Sequence, residues 1–133
     1  MLAWGSLVAV GGGAAIGAWI RWGLGAALNP LFPTLPLGTL AANLAGGLIM
    51  GVAMELIVRH SVMSPEIRLL VTTGFLGGLT TFSTFSAEIT TLLLRGEWLW
   101  SVIGIAAHLV GSLLLTVIGI LLMRALFAWG VSS

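Results

Sequence analysis

Residues 74–86 read Gly-Phe-Leu-Gly-Gly-Leu-Thr-Thr-Phe-Ser-Thr-Phe-Ser. Two kinds of ion chemistry are available in this run. The first lies at Gly77-Gly78-Leu79-Thr80, where adjacent glycines and two threonines weaken helix. Unwound backbone frees carbonyl oxygens, which are ligands for a hard cation such as Na⁺ in broken transmembrane helices. The same residues also read as a tightly packed glycine crossing without a break. The second chemistry lies in Phe82 and Phe85, three apart on one helix face. An aromatic ring is positive at its edge. Two edges turned into a narrow pore attract a small anion without the full charge that would trap it. Turned to lipid or core, the rings would only pack.

Polar groups on other segments could join this run. Ser83, Thr84 and Ser86 are matched by Thr39 upstream and by Ser112 and Thr116 downstream. Such hydroxyls commonly bond their own helix carbonyls. Facing one another, they could replace part of an ion's hydration shell. Asn43 carries an amide NH₂ that either bridges helices or donates to an anion. Glu88 is an intramembrane carboxylate and hence a functional candidate; it either acts on an ion, caps the hydroxyl track or pairs with His108. Arg21 either draws anions toward a vestibule or anchors a helix end. His108 reads as an interior hydrogen-bonding histidine, with no second ligand at metal-binding spacing.

The chain that must position these residues has 133 residues, 59% of them hydrophobic and 7% charged, with mean hydropathy +1.16. Five Arg and four Glu, with no Lys or Asp, cannot clothe a soluble domain, which carries about 25% charged residues. The natural surround is lipid. Each span takes roughly 20 apolar residues, so the chain is expected to be one all-α domain, residues 1–133, with four transmembrane helices. No basic cluster suits nucleic acid. There is no cysteine, hence no disulfide or thiolate metal site. No charged leader precedes the first apolar run, which is therefore expected to be a membrane helix rather than a cleaved signal peptide.

Span one is expected from about Leu2 to Ala27, with Gly13 and Gly17 as a close-packing pair. Residues 29–36 hold three of the four prolines and read as a loop lying against protein or the interface. Span two runs from about Gly38 to Val58; Thr39 and Asn43 share a face, Gly47 and Gly51 form a second small pair, and Glu55 can pair with Arg59. A turn over 60–66 ends in Ser64-Pro65, an N-cap followed by Pro at the first helical position. Span three runs from about Pro65 to Leu94 and is expected to break near Gly77 and Gly78. Span four runs from near Trp98 to about Trp129, with a stripe of Gly104, His108, Ser112 and Thr116; Trp98, Trp100 and Trp129 suit the interfaces. Arg59, Arg68 and Arg124 then fall on one side and Arg21 and Arg95 on the other. That near balance gives weak orientation and permits an antiparallel dimer.

Gly17-Ala-Trp-Ile-Arg21, Gly38-Thr-Leu-Ala-Ala-Asn43 with Gly46 and Gly47, and the run from Gly74 to Phe85 together resemble the CrcB/Fluc fluoride channel family. The resemblance covers nearly the whole chain. It implies a dual-topology homodimer of antiparallel subunits enclosing two fluoride pores. It further implies a central structural sodium ion held by backbone carbonyls of Gly77 and Thr80 from each subunit. Phe82, Phe85 and Asn43 would line the pore, with Thr39, Ser83, Ser112 and Thr116 as its polar track and Glu88 and Arg21 as accessory residues. The implied activity is passive fluoride export across a bacterial inner membrane, not catalysis. Because the ligands would be carbonyls, changes that force regular helix at Gly77 are expected to matter more for the sodium site than changes of the Thr80 side chain.

Two other classes fit less well. A four-span multidrug exporter would want a carboxylate in its first span, where this chain has only Arg21. A non-transporting assembly subunit explains the glycine pairs but not polar faces on three spans.

Overall fold

The computed structural model describes residues 3–59 and 63–131, and every regular element among them is helical. Part of the turn expected over 60–66, residues 60–62, lies outside the described residues. Helix α1 is Trp4–Leu28, followed by a 3₁₀ turn at Asn29–Leu31. Helix α2 is Leu37–Arg59. Helix α3 is Pro65–Leu69, a π-helical stretch covers Leu70–Leu76, and α4 is Gly77–Leu79. Helix α5 is Phe82–Leu94 and α6 is Trp98–Val131. Three segments are long and apolar enough to cross a membrane: Trp4–Leu31, Leu37–Arg59 and Trp98–Trp129. The segment from α3 to α5 is divided into short pieces instead of forming one long helix.

Both glycine pairs sit where backbones meet. Gly13 and Gly17 of α1 face the backbone of Leu70, Phe75 and Leu79; a Cβ on Gly13 would lie 2.7 Å from the Phe75 nitrogen. Gly47 and Gly51 of α2 face α6, where a Cβ on Gly47 would lie 2.8 Å from the Ser112 carbonyl oxygen. Gly119 answers from α6 against Leu48 and Val52. Small residues allow this approach, and dispersion between the closely set helices holds it. Ala42, Leu76 and Leu79 form the buried centre, with Leu24, Val71 and Phe75 packed on it.

Local signals set several ends. Ser64 accepts from the Ile67 N–H at 3.3 Å, with Pro65 opening α3, as the sequence predicts. Asn29 reaches across the loop, its Oδ1 accepting from the N–H groups of Gly38 at 2.8 Å and Thr39 at 3.3 Å. It thereby satisfies two N–H groups that the first turn of α2 leaves open. The loop lies against protein: Phe32 meets Trp100 edge-on at 5.2 Å, and Leu35 is buried. At the other end Glu55 is buried and accepts from Arg59 at 2.7 Å and from Arg124 at 3.0 Å, tying α2 to α6.

The irregular backbone begins two residues after the glycine pair near which the break is expected. Gly77 and Gly78 are helical, and Thr80 (φ −84°, ψ 157°) and Thr81 (φ −151°, ψ 116°) are extended. The β-branched pair prefers that conformation. Gly78 is held in helix by its packing on α1, where a Cβ would lie 3.0 Å from the Ala14 Cα. Gly77 is open by contrast: a Cβ there meets only the Thr72 carbonyl oxygen at 3.9 Å.

Candidate functional site

The extended Thr80–Thr81 pair is held by a side chain from α2. Asn43 Oδ1 accepts from the Thr81 N–H at 2.7 Å, and Asn43 Nδ2 donates to the Thr81 carbonyl at 3.1 Å. One amide thus replaces both helical partners of one peptide residue. The second Nδ2 proton goes to His108 Nδ1 on α6, 3.0 Å away. Asn43 joins α2, the interruption and α6, and neither of its N–H protons is left over.

Thr81 then starts α5. Its hydroxyl accepts from the Thr84 N–H at 3.1 Å and donates to the Thr84 hydroxyl at 3.0 Å. This is an N-cap of the ordinary kind. Thr81→Ala should keep the Asn43 contacts, which are to backbone, but lose the cap. A destabilisation of about 1 kcal/mol is expected by thermal unfolding in detergent; an unchanged midpoint would show the cap to be dispensable.

These substitutions of partner have a consequence for two carbonyls. In a continuous helix the Gly77 carbonyl would accept from Thr81 N–H and the Thr80 carbonyl from Thr84 N–H. The first donor is taken by Asn43 and the second by the Thr81 hydroxyl. The Gly78 carbonyl, similarly displaced, accepts from Arg21 Nε at 3.0 Å. Arg21 on α1 thus anchors the interruption alongside Asn43 on α2.

Two clefts adjoin the interruption. The larger, about 410 Å³, is bounded by α2, α6 and the 72–85 segment. Asn43, Gly77, Thr80, Phe82, Phe85, Ser112 and Thr116 line it, so seven of the residues singled out from sequence meet at one cleft. His108 lines it too, and no Asp, Glu, Lys or Arg does. Its rings form a ladder: Phe82 to Phe85 at 5.4 Å, Phe85 to His108 at 4.7 Å. The smaller cleft, about 290 Å³, is lined by Arg21, Asn29, Thr39 and Thr84 among others. Thr81 lines both.

Several candidates are placed differently from expectation. Thr39 faces the smaller cleft and donates to Glu88 Oε1 at 2.6 Å, so Glu88 pairs with Thr39 and His108 with Asn43. The Thr116 hydroxyl shares its proton between the carbonyls of Gly47 at 3.0 Å and Ser112 at 2.9 Å, stapling α6 to α2. Ser83 is exposed, 3.4 Å from the Thr81 hydroxyl, and with Glu88 lines neither cleft. Thr81 itself was not singled out, although a Thr immediately before the first residue of a helix, here Phe82, is an N-cap signal.

A family model described as CrcB-like protein, Camphor Resistance (CrcB), matches residues 8–120. A relative from Nitrosospira multiformis is 60% identical over 119 residues, covering 90% of this chain and 93% of its own length. One from Aromatoleum aromaticum is 60% identical over 114 residues, covering 86% and 87%, and one from Pseudomonas putida is 56% identical over 115 residues, covering 86% and 91%. All three are named fluoride-specific ion channel FluC.

Proposed function

The chain belongs to the CrcB-like family, and from that premise we propose that it is a fluoride-selective passive channel exporting fluoride from the cytoplasm through a bacterial inner membrane. The observation that carries this reading is the uncharged larger cleft, where aromatic rings and N–H and O–H groups meet without a formal charge. Fluoride is small and strongly hydrated. A conduction path must compensate its lost water yet release it, and donors without a formal charge do both. Hydrogen fluoride crosses membranes as a neutral acid and dissociates inside, so a passive anion path suffices for export.

In this reading the segment from α3 to α5 is the third of four crossings, interrupted at Thr80–Thr81. Irregular backbone at membrane depth is tolerated where protein or a cavity receives it, and Asn43, Arg21 and the two clefts supply that reception. Subunits pair as an antiparallel, dual-topology homodimer with two pores. Support comes from the near balance of arginines and from Phe82, which is 79% exposed in one chain although it faces the cleft. A structural sodium ion sits between subunits on the Gly77 and Thr80 carbonyls. Those two oxygens fit the role because both have lost their helical donors to nearer partners. When bound, sodium would supply a fixed charge between the interruptions, while Asn43 and Arg21 keep the carbonyls in place.

The test is fluoride efflux from liposomes holding the purified protein, followed with a fluoride electrode. Efflux well above empty liposomes, with chloride retained, is expected. No efflux above the empty control overturns the reading.

A further inference from the structure

His108 is buried, with only 4% of its surface exposed, and its Nε2 has no hydrogen-bond partner among the described residues. Its tautomer follows from the neighbour. The Thr81 N–H can only donate, so the Asn43 atom facing it at 2.7 Å is the oxygen, and the other Asn43 atom is NH₂. That nitrogen has no lone pair to offer. At 3.0 Å from His108 Nδ1 it must donate, and Nδ1 must accept. The imidazole is then neutral with its proton on Nε2, the ring edge away from Asn43. A buried N–H without an acceptor is costly. The ring lies on the wall of the larger cleft, 4.7 Å from the Phe85 ring and tilted 37° to it.

We propose that His108, through its Nε2–H, is the side-chain donor that meets the anion in this cleft, and that Asn43 is a positioning residue that sets the histidine tautomer. This deepens the fluoride-channel reading and rests on it. It also reassigns the amide: Asn43 has both protons committed, to the Thr81 carbonyl and to His108, and has none for an ion. An imidazole N–H gives what conduction asks for. It is a strong neutral donor, held in one orientation by a hydrogen bond on one side and a phenyl ring on the other. The order of control runs from the Thr81 backbone to Asn43, from Asn43 to Nδ1, and from Nδ1 to the proton on Nε2.

The tautomer can be read without any measurement of transport. Protein labelled with ¹⁵N-histidine, in a His60→Gln background that leaves one imidazole, is reconstituted in liposomes and examined by solid-state NMR. The expected spectrum has a protonated Nε2 and an unprotonated Nδ1, with the Nε2 resonance moved by fluoride and not by chloride. Asn43→Asp keeps an acceptor for the Thr81 N–H but turns an oxygen toward Nδ1, so a proton should appear on Nδ1. A merely structural asparagine would not move that signal. In efflux, His108→Phe should lower fluoride flux about tenfold, the scale of one lost hydrogen bond to a charged group, while His108→Gln, which keeps an N–H, should lose less. A wild-type imidazole protonated at Nδ1, or an Nε2 signal indifferent to fluoride, overturns the proposal. If wild-type liposomes release no fluoride, the channel reading falls, and the NMR result still decides whether Nε2 binds the ion.

Discussion

Phe85→Ile is expected to lower fluoride efflux from liposomes about tenfold or more while leaving a folded, monodisperse protein. Phe85 is the middle rung of the ring ladder, 5.4 Å from Phe82 and 4.7 Å from His108. Isoleucine keeps an apolar side chain of moderate volume, which cores tolerate at small cost. It removes the positive ring edge and the face on which the imidazole rests. A tenfold change needs about 1.4 kcal/mol, and specific ring contacts are worth about 0.5–1.5 kcal/mol each beyond their area. The contact that decides flux is the one between the ring edge and the ion, of that same order. Flux equal to wild type would remove the ring from the conduction path and leave the polar groups to account for it alone.

Gly51→Val is expected to destabilise the protein by about 3 kcal/mol or more, beyond what most overpacked sites show. A Cβ at this position would fall on the Thr116 carbonyl of α6, and 3.0 Å from the Ile120 nitrogen. Both obstacles are backbone, so no rotamer change relieves them. α2 and α6 would have to separate, breaking the Thr116 staple to Gly47 and opening one wall of the larger cleft. Loss of a monodisperse peak on size exclusion in detergent, or a steep drop in unfolding temperature, is the expected result. Gly77→Ala is the companion. Its Cβ has room, and replacing a helical glycine by alanine favours the fold by roughly 0.5–1 kcal/mol. Equal midpoints for Gly51→Val and wild type would contradict the packing.

What the sequence made legible follows from how local each signal is. The Ser64-Pro65 start, the Glu55–Arg59 pair and the two glycine pairs are short-range patterns, and each is found where its spacing puts it. Helical spacing made it readable that Phe82 and Phe85 share one face and that His108, Ser112 and Thr116 share another; that these faces and Asn43 line one cleft is set by the packing of three elements. The seat of the interruption was less readable. Propensity weakens the whole stretch from Gly77 to Thr81, and the choice within it depends on partners far away in sequence: Ala14 holding Gly78, Asn43 holding Thr81. The partners of the hydroxyls and of His108 were hidden for the same reason. A hydroxyl on a polar stripe looks alike whether its proton goes to an ion or, as at Thr116, to a neighbouring carbonyl. Nothing within one helix tells them apart.

The glycine seam between α2 and α6 has a mechanical consequence. Packed side chains hop between rotamers on fast timescales, so a wall made of them breathes. Along Gly47, Gly51 and Gly119 there is no side chain to hop; main chain rests directly on main chain. The spacing of those two helices is therefore set by bond lengths and atomic radii. In the channel proposed above, sorting ions by size needs such an unyielding gauge on at least one side, and the seam would leave compliance to the aromatic rungs that line the same cleft as Gly47.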